Sequence, residues 1–333
     1  MIDHDSLLEV FELAEKRRAA RRRFLKFAGT GVAAVGGAAM LSACDDDEEQ
    51  TIIPGPSPTP TPTPAPVGAA DADILNFALN LEYLEANYYL SSALGTSLAS
   101  SLTSGTGMQG AVTGGRRVNF GDNSIAAYAR EIAADENAHV TFLRQQLGSA
   151  AIAQPAINID GGANGAFTAA ARSAGVIGPN ETFDPYASDE NWLLGGMLLS
   201  DVGVTAYKGS AAAIASPVIL EAAAGILAVE AYHSGLLRTM IYRKGLDLPV
   251  LRTNAGRISD ARDSLDGPAD LDQGVTGDAD TSNIVPADAN GIVFGRTPQQ
   301  VLNIAYLNRA AVTQGGFFPA GVNGNVRSSA ANG

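Results

Sequence analysis

Four stretches of the chain place apolar residues three or four positions apart, which is the period of a helix with one buried face. The four predicted helices cover about residues 71–94, 124–147, 190–215 and 217–243. Asp71 or Asp73 is expected to cap the first helix, and Gly95 to end it. The pattern therefore predicts an all-α fold built on a bundle of four helices.

Charged side chains interrupt the apolar face of each predicted helix. Glu82 and Glu85 share the face of Leu75 and Ala78 in the first helix, and Asp201 falls inside the apolar side of the third. A carboxylate that faces a core is unfavourable unless another group balances its charge. A bound cation is one such group.

Two Glu-x-x-His pairs strengthen this interpretation. Glu136 and His139 lie in the second helix, and Glu230 and His233 in the fourth. The spacing of three residues puts each carboxylate beside its imidazole on one helix face. Two such pairs, with a carboxylate on each of the other two helices, are typical of bundles that hold two metal ions. Carboxylate and imidazole ligands favour iron or manganese, and zinc also fits.

Composition narrows the classes of partner. The formal net charge is −13, and a protein that binds nucleic acid needs clustered Lys and Arg to contact phosphates. The chain has a single cysteine, Cys44, which excludes an internal disulfide framework and a thiolate-rich metal site. The negative net charge therefore predicts that the protein has no nucleic-acid partner.

The N-terminus has the pattern of an export signal. Arg21-Arg22-Arg23-Phe24-Leu25-Lys26 precedes an apolar run that ends Leu41-Ser42-Ala43-Cys44. The first part resembles a twin-arginine signal and the second a bacterial lipobox, which implies the export machinery as a partner, cleavage before Cys44 and a lipid on its sulfur. The expected location is the periplasmic side of the cell membrane. A buried helix with a basic flank or an uncleaved signal anchor is the alternative.

These patterns divide the chain into four segments. We predict a signal peptide over residues 1–43, an acidic and Thr/Pro-rich linker over 44–70, the bundle over 71–245 and a C-terminal extension over 246–333. A Gly/Ser/Thr-rich stretch, 95–122, is interpreted as a long crossover loop, and the acidic stretch 263–280 as a flexible surface loop. The extension is expected to contain a short helix near 297–308.

Several runs of residues resemble one known family. They are Leu75-Asn76-Phe77-Ala78-Leu79, Leu81-Glu82-Tyr83-Leu84-Glu85, Asp135-Glu136-Asn137-Ala138-His139 and Asp201-Val202-Gly203-Val204-Thr205-Ala206-Tyr207. They are similar to the ferritin-like family that includes plant and bacterial desiccation-related proteins, over about residues 71–245. The segment from Arg296 to Pro319 is similar to the closing segment of that family.

The resemblance implies a set of ligands for two metal ions. Carried over by position, they are Glu82, Glu136, His139, Asp201, Glu230 and His233. Glu136 and Glu230 would bridge the ions, and each histidine would bind one. Glu82 is preferred to Glu85, an alternative ligand, because ferritin-like first helices place a tyrosine seven residues after the ligand, where Tyr89 stands. Asp201 departs from the glutamate of ferritins and rubrerythrins.

Two functions from different classes follow. The first is a di-iron or di-manganese oxidoreductase that reduces O₂ or peroxide, with ferroxidase, peroxidase or catalase-like activity. The second is a non-enzymatic envelope or desiccation-stress protein that keeps the bundle as a structural or binding module. The helices also carry tyrosines that either relay electrons or pack as ordinary core and rim residues: Tyr83, Tyr88, Tyr89, Tyr128 and Tyr232.

Overall fold

The computed structural model describes residues 67–278 and 280–332, so the predicted signal peptide, Cys44 and most of the predicted linker lie outside the described residues. The helices are α1 (Ala69–Leu94), α2 (Asn123–Leu147), α3 (Ala166–Ser173), α4 (Asp189–Ser210), α5 (Pro217–Asp247), α6 (Pro249–Asp266) and α7 (Pro298–Ala305). The strands are β1 (Val112–Gly114) and β2 (Ile157–Ile159). No helix in this described part has both the length and the apolar character that crossing a membrane requires.

The four predicted helices form the bundle. They correspond to α1, α2, α4 and α5, and helical bundle architecture is confirmed. Helix α1 packs chiefly against α2, and α4 against α5, while contacts between α1 and α4 and between α2 and α5 join the two pairs. Helix α4 ends at Ser210, five residues before its predicted end, because a 3₁₀ turn over Ala211–Ala213 follows it.

Side-chain caps set the start of three bundle helices. The Asp122 carboxylate accepts the first free N–H groups of α2. Ser188 caps α4 and Ser216 caps α5 in the same way. Helix α1 ends at Gly95, whose φ of 73° is left-handed and therefore favours glycine. The three side-chain caps satisfy backbone N–H groups that would otherwise lack partners at the starts of α2, α4 and α5.

Asp71 or Asp73 was predicted to cap α1, and this prediction is wrong, because the helix begins at Ala69 after Gly68 and has no side-chain cap. Asp71 is buried inside the first turn of α1, where its carboxylate accepts the N–H groups of Ala215 and Ser216 at 2.8 and 3.0 Å. The aspartate thus connects the start of α1 to the start of α5. Sequence spacing shows that an acidic residue lies near a helix start, but the backbone donors it meets depend on the fold.

The crossover between helix pairs is not the one predicted. Residues 95–122 join α1 to α2, which are packing partners, whereas residues 148–188 lead from the first pair to the second. The two connections meet where β1 and β2 pair in parallel, with Val112 opposite Ile157. Both are long and rich in small residues, so composition alone could not assign the crossover.

The C-terminal extension packs on the second helix pair. Helix α6 contacts α5 and α4, and α7 contacts α6 and α4. The predicted short helix appears as α7, which starts with a capping box between Thr297 and Gln300. The end of the extension also reaches the first pair, where the side chain of Asn80 on α1 exchanges hydrogen bonds with the backbone of Asn323.

The predicted surface loop at 263–280 is partly wrong. Asp263 and Asp266 lie in α6, and Asp272 is buried between the guanidinium groups of Arg262 and Arg296. An acidic stretch is usually solvated, but here Arg262, just before the stretch, and Arg296, after it, balance the charge of Asp272. Sequence composition does not reveal which charged groups will pair.

Candidate metal centre

Four side chains from three helices meet inside the bundle. Glu82 comes from α1, Glu136 and His139 from α2, and Glu230 from α5. Each offers one ligand atom, and these four atoms lie within 4.8 Å of one another. All four residues are buried, so the cluster is shielded from bulk water.

His139 stands at the middle of this cluster. Its Nδ1 atom lies 3.2 Å from Glu82 Oε2, 3.3 Å from Glu230 Oε1 and 3.7 Å from Glu136 Oε2. One ring nitrogen carries at most one proton and cannot satisfy three carboxylates. The arrangement suits a cation that all four groups share.

Glu136 also faces the second histidine. Its Oε1 atom lies 3.1 Å from His233 Nδ1, on the opposite side from His139. The two imidazole rings are 6.2 Å apart between centroids. Each carboxylate oxygen of Glu136 therefore faces a different imidazole, which is the disposition expected of a bridging carboxylate.

Asp135 fixes the orientation of His233. His233 Nε2 lies 3.1 Å from Asp135 Oδ2, and a proton on Nε2 leaves Nδ1 as the nitrogen with a free lone pair. Such a carboxylate behind a ligating imidazole holds its tautomer and ring orientation. Sequence reasoning quoted Asp135 only as part of the family run and missed this role, although its position next to Glu136 was a usable signal.

Glu85 also belongs to this site. A Cβ atom on Gly203 of α4 would come within 2.9 Å of Glu85 Oε1 and 3.0 Å of Glu230 Oε2. Both carboxylates therefore occupy the space that any larger residue at 203 would fill. Of the two candidates in the first helix, Glu82 is one of the four residues whose ligand atoms cluster, and Glu85 is buried close to Glu230.

Tyr207 of α4 contacts the site directly and was missed as a functional residue. Its hydroxyl donates to Glu82 Oε1 at 2.5 Å. Burial, followed by the nearby Glu82 charge, raises the pKa of Tyr207 well above its usual value. The phenol therefore stays protonated and holds Glu82 in place.

The structure does not bring Asp201 into the cluster. Its Oδ2 atom accepts from Arg238 and from Arg262, each at 2.9 Å, and its Oδ1 atom accepts from Ser234 at 2.5 Å. Although burial opposes ionisation, the two arginines keep the pKa of Asp201 below its usual range. Both oxygens are occupied, so the structure contradicts the role of terminal ligand that the resemblance implied for Asp201.

Burial and mutual repulsion make the carboxylates hard to ionise together. Burial raises the pKa of Glu82 to about 8 and that of Glu85 well above its usual value. Burial and the Glu136 charge also raise the pKa of Glu230. Glu136 is the exception, since His139 and His233 outweigh its burial and lower its pKa to about 2. The carboxylates thus require positive charge nearby, from protons or metal ions.

Protons on the histidines satisfy only part of this requirement. Glu82 raises the pKa of His139, and Asp135 and Glu136 raise that of His233 to about 10, in both cases against the effect of burial. Two imidazolium groups still balance only two of four buried carboxylates: Glu82, Glu85, Glu136 and Glu230. Two divalent ions would balance all four.

The hydrogen-bond pattern also fits a metal centre. Among the described residues, both carboxylate oxygens of Glu136, both of Glu230 and the Nδ1 atom of His233 are buried and make no hydrogen bond of good geometry, although imidazole nitrogens lie 3.1 to 3.7 Å from three of those oxygens. Such atoms are unfavourable in a protein interior unless something binds them. Oxygen and imidazole nitrogen donors without thiolate are the set that iron and manganese accept. The residues present therefore fit these ions.

Two known proteins are similar to this chain over most of its length. The chain is similar to the ferritin-like catalase Nec2 of Nesocodon mauritianus, with 28% identity over 272 residues that cover 77% of this chain and 85% of the relative. It is also similar to the desiccation-related protein PCC13-62 of Craterostigma plantagineum, with 27% identity over 281 residues and coverage of 78% and 85%. No solved structure matches the chain.

The bundle and the buried carboxylate and histidine cluster fall within one family match. The ferritin-like domain family matches residues 70–243, which include every bundle helix almost to the end of α5. Its bounds lie close to those predicted for the bundle from the apolar pattern. The chain therefore belongs to the ferritin-like domain family.

Proposed function

We propose that this protein binds two redox-active ions, iron or manganese, and uses them to reduce O₂ or peroxide. The observation that carries the proposal is the position of Glu136, whose two oxygens face two different histidines. The similarity to a relative named as a ferritin-like catalase supports the choice of peroxide as a substrate. Zinc suits the same donors but has no redox chemistry.

Six side chains would hold the ions. Glu136 faces both histidines, Glu230 and Glu82 lie beside His139, and these five groups would hold the ions. Glu85, whose carboxylate lies with that of Glu230 beside Gly203, would take the place that the sequence interpretation gave to Asp201. When bound, the ions supply electrons to the oxygen substrate and stabilise the negative charge that develops on it.

The surrounding residues of the chain have separate tasks. Tyr207 donates to Glu82 and keeps that carboxylate turned toward the site. Asp135 accepts from His233 and keeps Nδ1 directed inward. Burial of the cluster excludes bulk water, which strengthens each electrostatic contact.

Three assays on the metal-loaded full chain test this function. Release of O₂ from peroxide would indicate catalase-like activity, oxidation of an added electron donor would indicate peroxidase activity, and oxidation of Fe²⁺ would indicate ferroxidase activity. The matched control is Glu136→Gln, which keeps the shape but removes the bridging charge. A loaded protein that leaves peroxide and Fe²⁺ untouched would refute the proposal.

The second candidate is a non-enzymatic envelope or desiccation-stress protein. The similarity to a desiccation-related protein favours it. In that case the bundle serves as a structural or binding module, and the protein would fold to the same stability with and without metal. Metal bound in fixed ratio without any redox activity would indicate a carrier instead.

We also propose export as a lipoprotein. The support is the pair of signals in the sequence, Arg21-Arg22 with the apolar run after it, and the lipobox-like residues that end at Cys44. Mass spectrometry of the mature chain should show a lipid on Cys44, and a Cys44→Ser variant should leave the membrane fraction. An unmodified N-terminus at Met1 would contradict this.

A further inference from the structure

A cavity of about 240 Å³ lies between helices α4 and α5 and the segment 284–294 of the C-terminal extension. Apolar side chains of α4 and of that segment form its walls: Val204, Ile284, Val285, Pro286, Val293 and Phe294. Its polar side chains are Asp201, Thr205, Ser234 and Asp272. These lining residues include no member of the metal cluster, so the cavity is a separate place in the molecule.

Small residues of α5 leave room for the cavity. Ala231 and Gly235 line it one turn apart on the helix, and nothing lies within 4 Å of a Cβ atom added to Gly235. Ala231 is exposed to solvent, and so is Val285 on the opposite wall. The cavity is therefore open to a small molecule from solution.

The segment that closes the cavity is fixed at both ends. The Arg238 guanidinium of α5 donates to the backbone carbonyl of Ile284 at 2.7 Å. At the other end, the backbone N–H of Arg296 donates to the carbonyl of Thr205 at 2.9 Å. The Arg296 guanidinium also lies 4.9 Å from the ring centroid of Phe294 and holds that ring in place. Because the walls are already ordered, a ligand loses less free energy to ordering them on binding.

The polar side chains of the cavity give their own protons to other groups. Ser234 Oγ donates to Asp201 Oδ1 at 2.5 Å, and the Thr205 hydroxyl donates to backbone carbonyls of its own helix. Asp201 and Asp272 form ion pairs with buried arginines, so neither carboxylate carries a proton. A hydroxyl oxygen and a carboxylate oxygen can each accept more than one hydrogen bond. The side chains therefore suit a ligand that donates a hydrogen bond.

The charge near the cavity favours a neutral ligand. Three buried arginines pair with three buried aspartates, namely Arg238, Arg262 and Arg296 with Asp201, Asp266 and Asp272. An anionic ligand would meet the carboxylates that line the cavity. A cationic ligand would add positive charge beside the arginines, and burying a further charge is unfavourable.

We propose that this cavity binds a neutral, single-ring phenol, with the ring against the apolar walls and the hydroxyl donating to Ser234 Oγ or Asp201 Oδ1. The volume suits one substituted ring, since an apolar cavity of about 150 Å³ is enough for benzene. Phe294 provides an aromatic partner for that ring. A rigid ring also loses less internal freedom on binding than a flexible chain of the same size.

Isothermal titration calorimetry of the full chain with 4-ethylphenol tests the site. One molecule should bind per chain. Ethylbenzene, which lacks only the hydroxyl, should bind at least about 10-fold more weakly, because a hydrogen bond to a charged acceptor is lost. Ala231→Phe should fill the cavity from its exposed edge and abolish binding. The matched control is Ala228→Phe, an exposed position one turn earlier on α5 and outside the cavity lining, which should bind 4-ethylphenol as the wild type does.

Four results would overturn the proposal. They are no binding of 4-ethylphenol, binding that Ala231→Phe leaves unchanged, an equal loss in a folded Ala228→Phe variant, and equal affinity for ethylbenzene. Circular dichroism checks that both variants are folded. Metal content enters none of these outcomes, so failure of the proposed redox function would leave the phenol site standing, and failure of the phenol site would leave the redox function standing.

Discussion

Glu136 of α2 and His233 of α5 meet across the bundle, with Glu136 Oε1 3.1 Å from His233 Nδ1. The contact joins the two Glu-x-x-His pairs, because Glu136 Oε2 faces the histidine of its own helix. One carboxylate thus lies between two imidazoles inside the bundle. Asp135, on the outer side of His233, holds the imidazole in this position.

Loss of Asp135 should weaken metal binding without removing a ligand. In Asp135→Ala, His233 loses the acceptor that fixes its tautomer, and a loss of about 10- to 100-fold in metal affinity is expected. Competition with a coloured chelator measures this affinity. The matched control is Glu131→Ala, an exposed carboxylate one turn earlier on α2, which should bind metal as the wild type does. Equal losses in the two variants would refute the role of Asp135.

Substitution of Asp201 separates the two interpretations of that residue. Asp201→Asn leaves Arg238 and Arg262 buried without their shared carboxylate, so a loss of about 3–5 kcal/mol in the free energy of unfolding is expected. Urea unfolding measures this loss, and elemental analysis of the folded fraction should show full metal content. A variant of unchanged stability that has lost metal would instead support Asp201 as a ligand.

Gly203→Ala should affect metal binding more than folding. The added Cβ would approach Glu85 Oε1 to 2.9 Å and Glu230 Oε2 to 3.0 Å, and the ends of these side chains can move aside at little cost in stability. The displaced carboxylates should bind metal more weakly. Gly225→Ala on α5 is the matched control, since nothing lies within 4 Å of its added Cβ.

The control should gain about 0.5–1 kcal/mol in the free energy of unfolding, as an alanine in a helix does, with metal affinity unchanged. Metal titration and urea unfolding of both variants check the pair. Full metal affinity in Gly203→Ala would show that Glu85 and Glu230 do not act as ligands.

The metal-free protein should lose stability as the pH rises. The pKa of Glu82 is raised from 4.5 to about 8 and that of His233 from 6.5 to about 10, so folding favours the protonated form of both. Their contributions are complete below the unfolded pKa values and disappear as pH rises through the folded ones. Glu136 has the opposite effect on stability, but only below pH 4.5, because folding lowers its pKa from 4.5 to about 2.

Urea unfolding of the chelator-treated chain at about pH 5 and about pH 9 measures this dependence. The free energy of unfolding should be lower at the higher pH. Metal ions replace the protons, so metal affinity should rise over the same range and saturating metal should reduce the difference. A metal-free protein that is more stable at the higher pH would contradict the charge distribution described for the site.

Local spacing explains how much of the fold and site was predictable. The helices followed from apolar periodicity and the two Glu-x-x-His pairs from a spacing of three residues, because both patterns lie within single helices. Asp201 has the same local signature as Glu82, a carboxylate on an apolar face. What separates them is Arg238 on α5 and Arg262 on α6, and α6 was not predicted.

The contacts of Tyr207 and Asp135 were unpredictable for a related reason. Tyr207 and Glu82 are 125 positions apart in the sequence, and Asp135 and His233 are 98 positions apart. Helical periodicity places each residue on a face but does not specify which helix that face will contact. The register between helices determines these partners.

The most direct test of the metal centre is elemental analysis of the purified full chain beside a Glu136→Ala/Glu230→Ala double variant. The two-ion site predicts about two iron or manganese ions per chain, lost in the variant. Circular dichroism should show that both proteins are helical. A wild-type chain that folds fully and retains no metal after loading would contradict the metal centre.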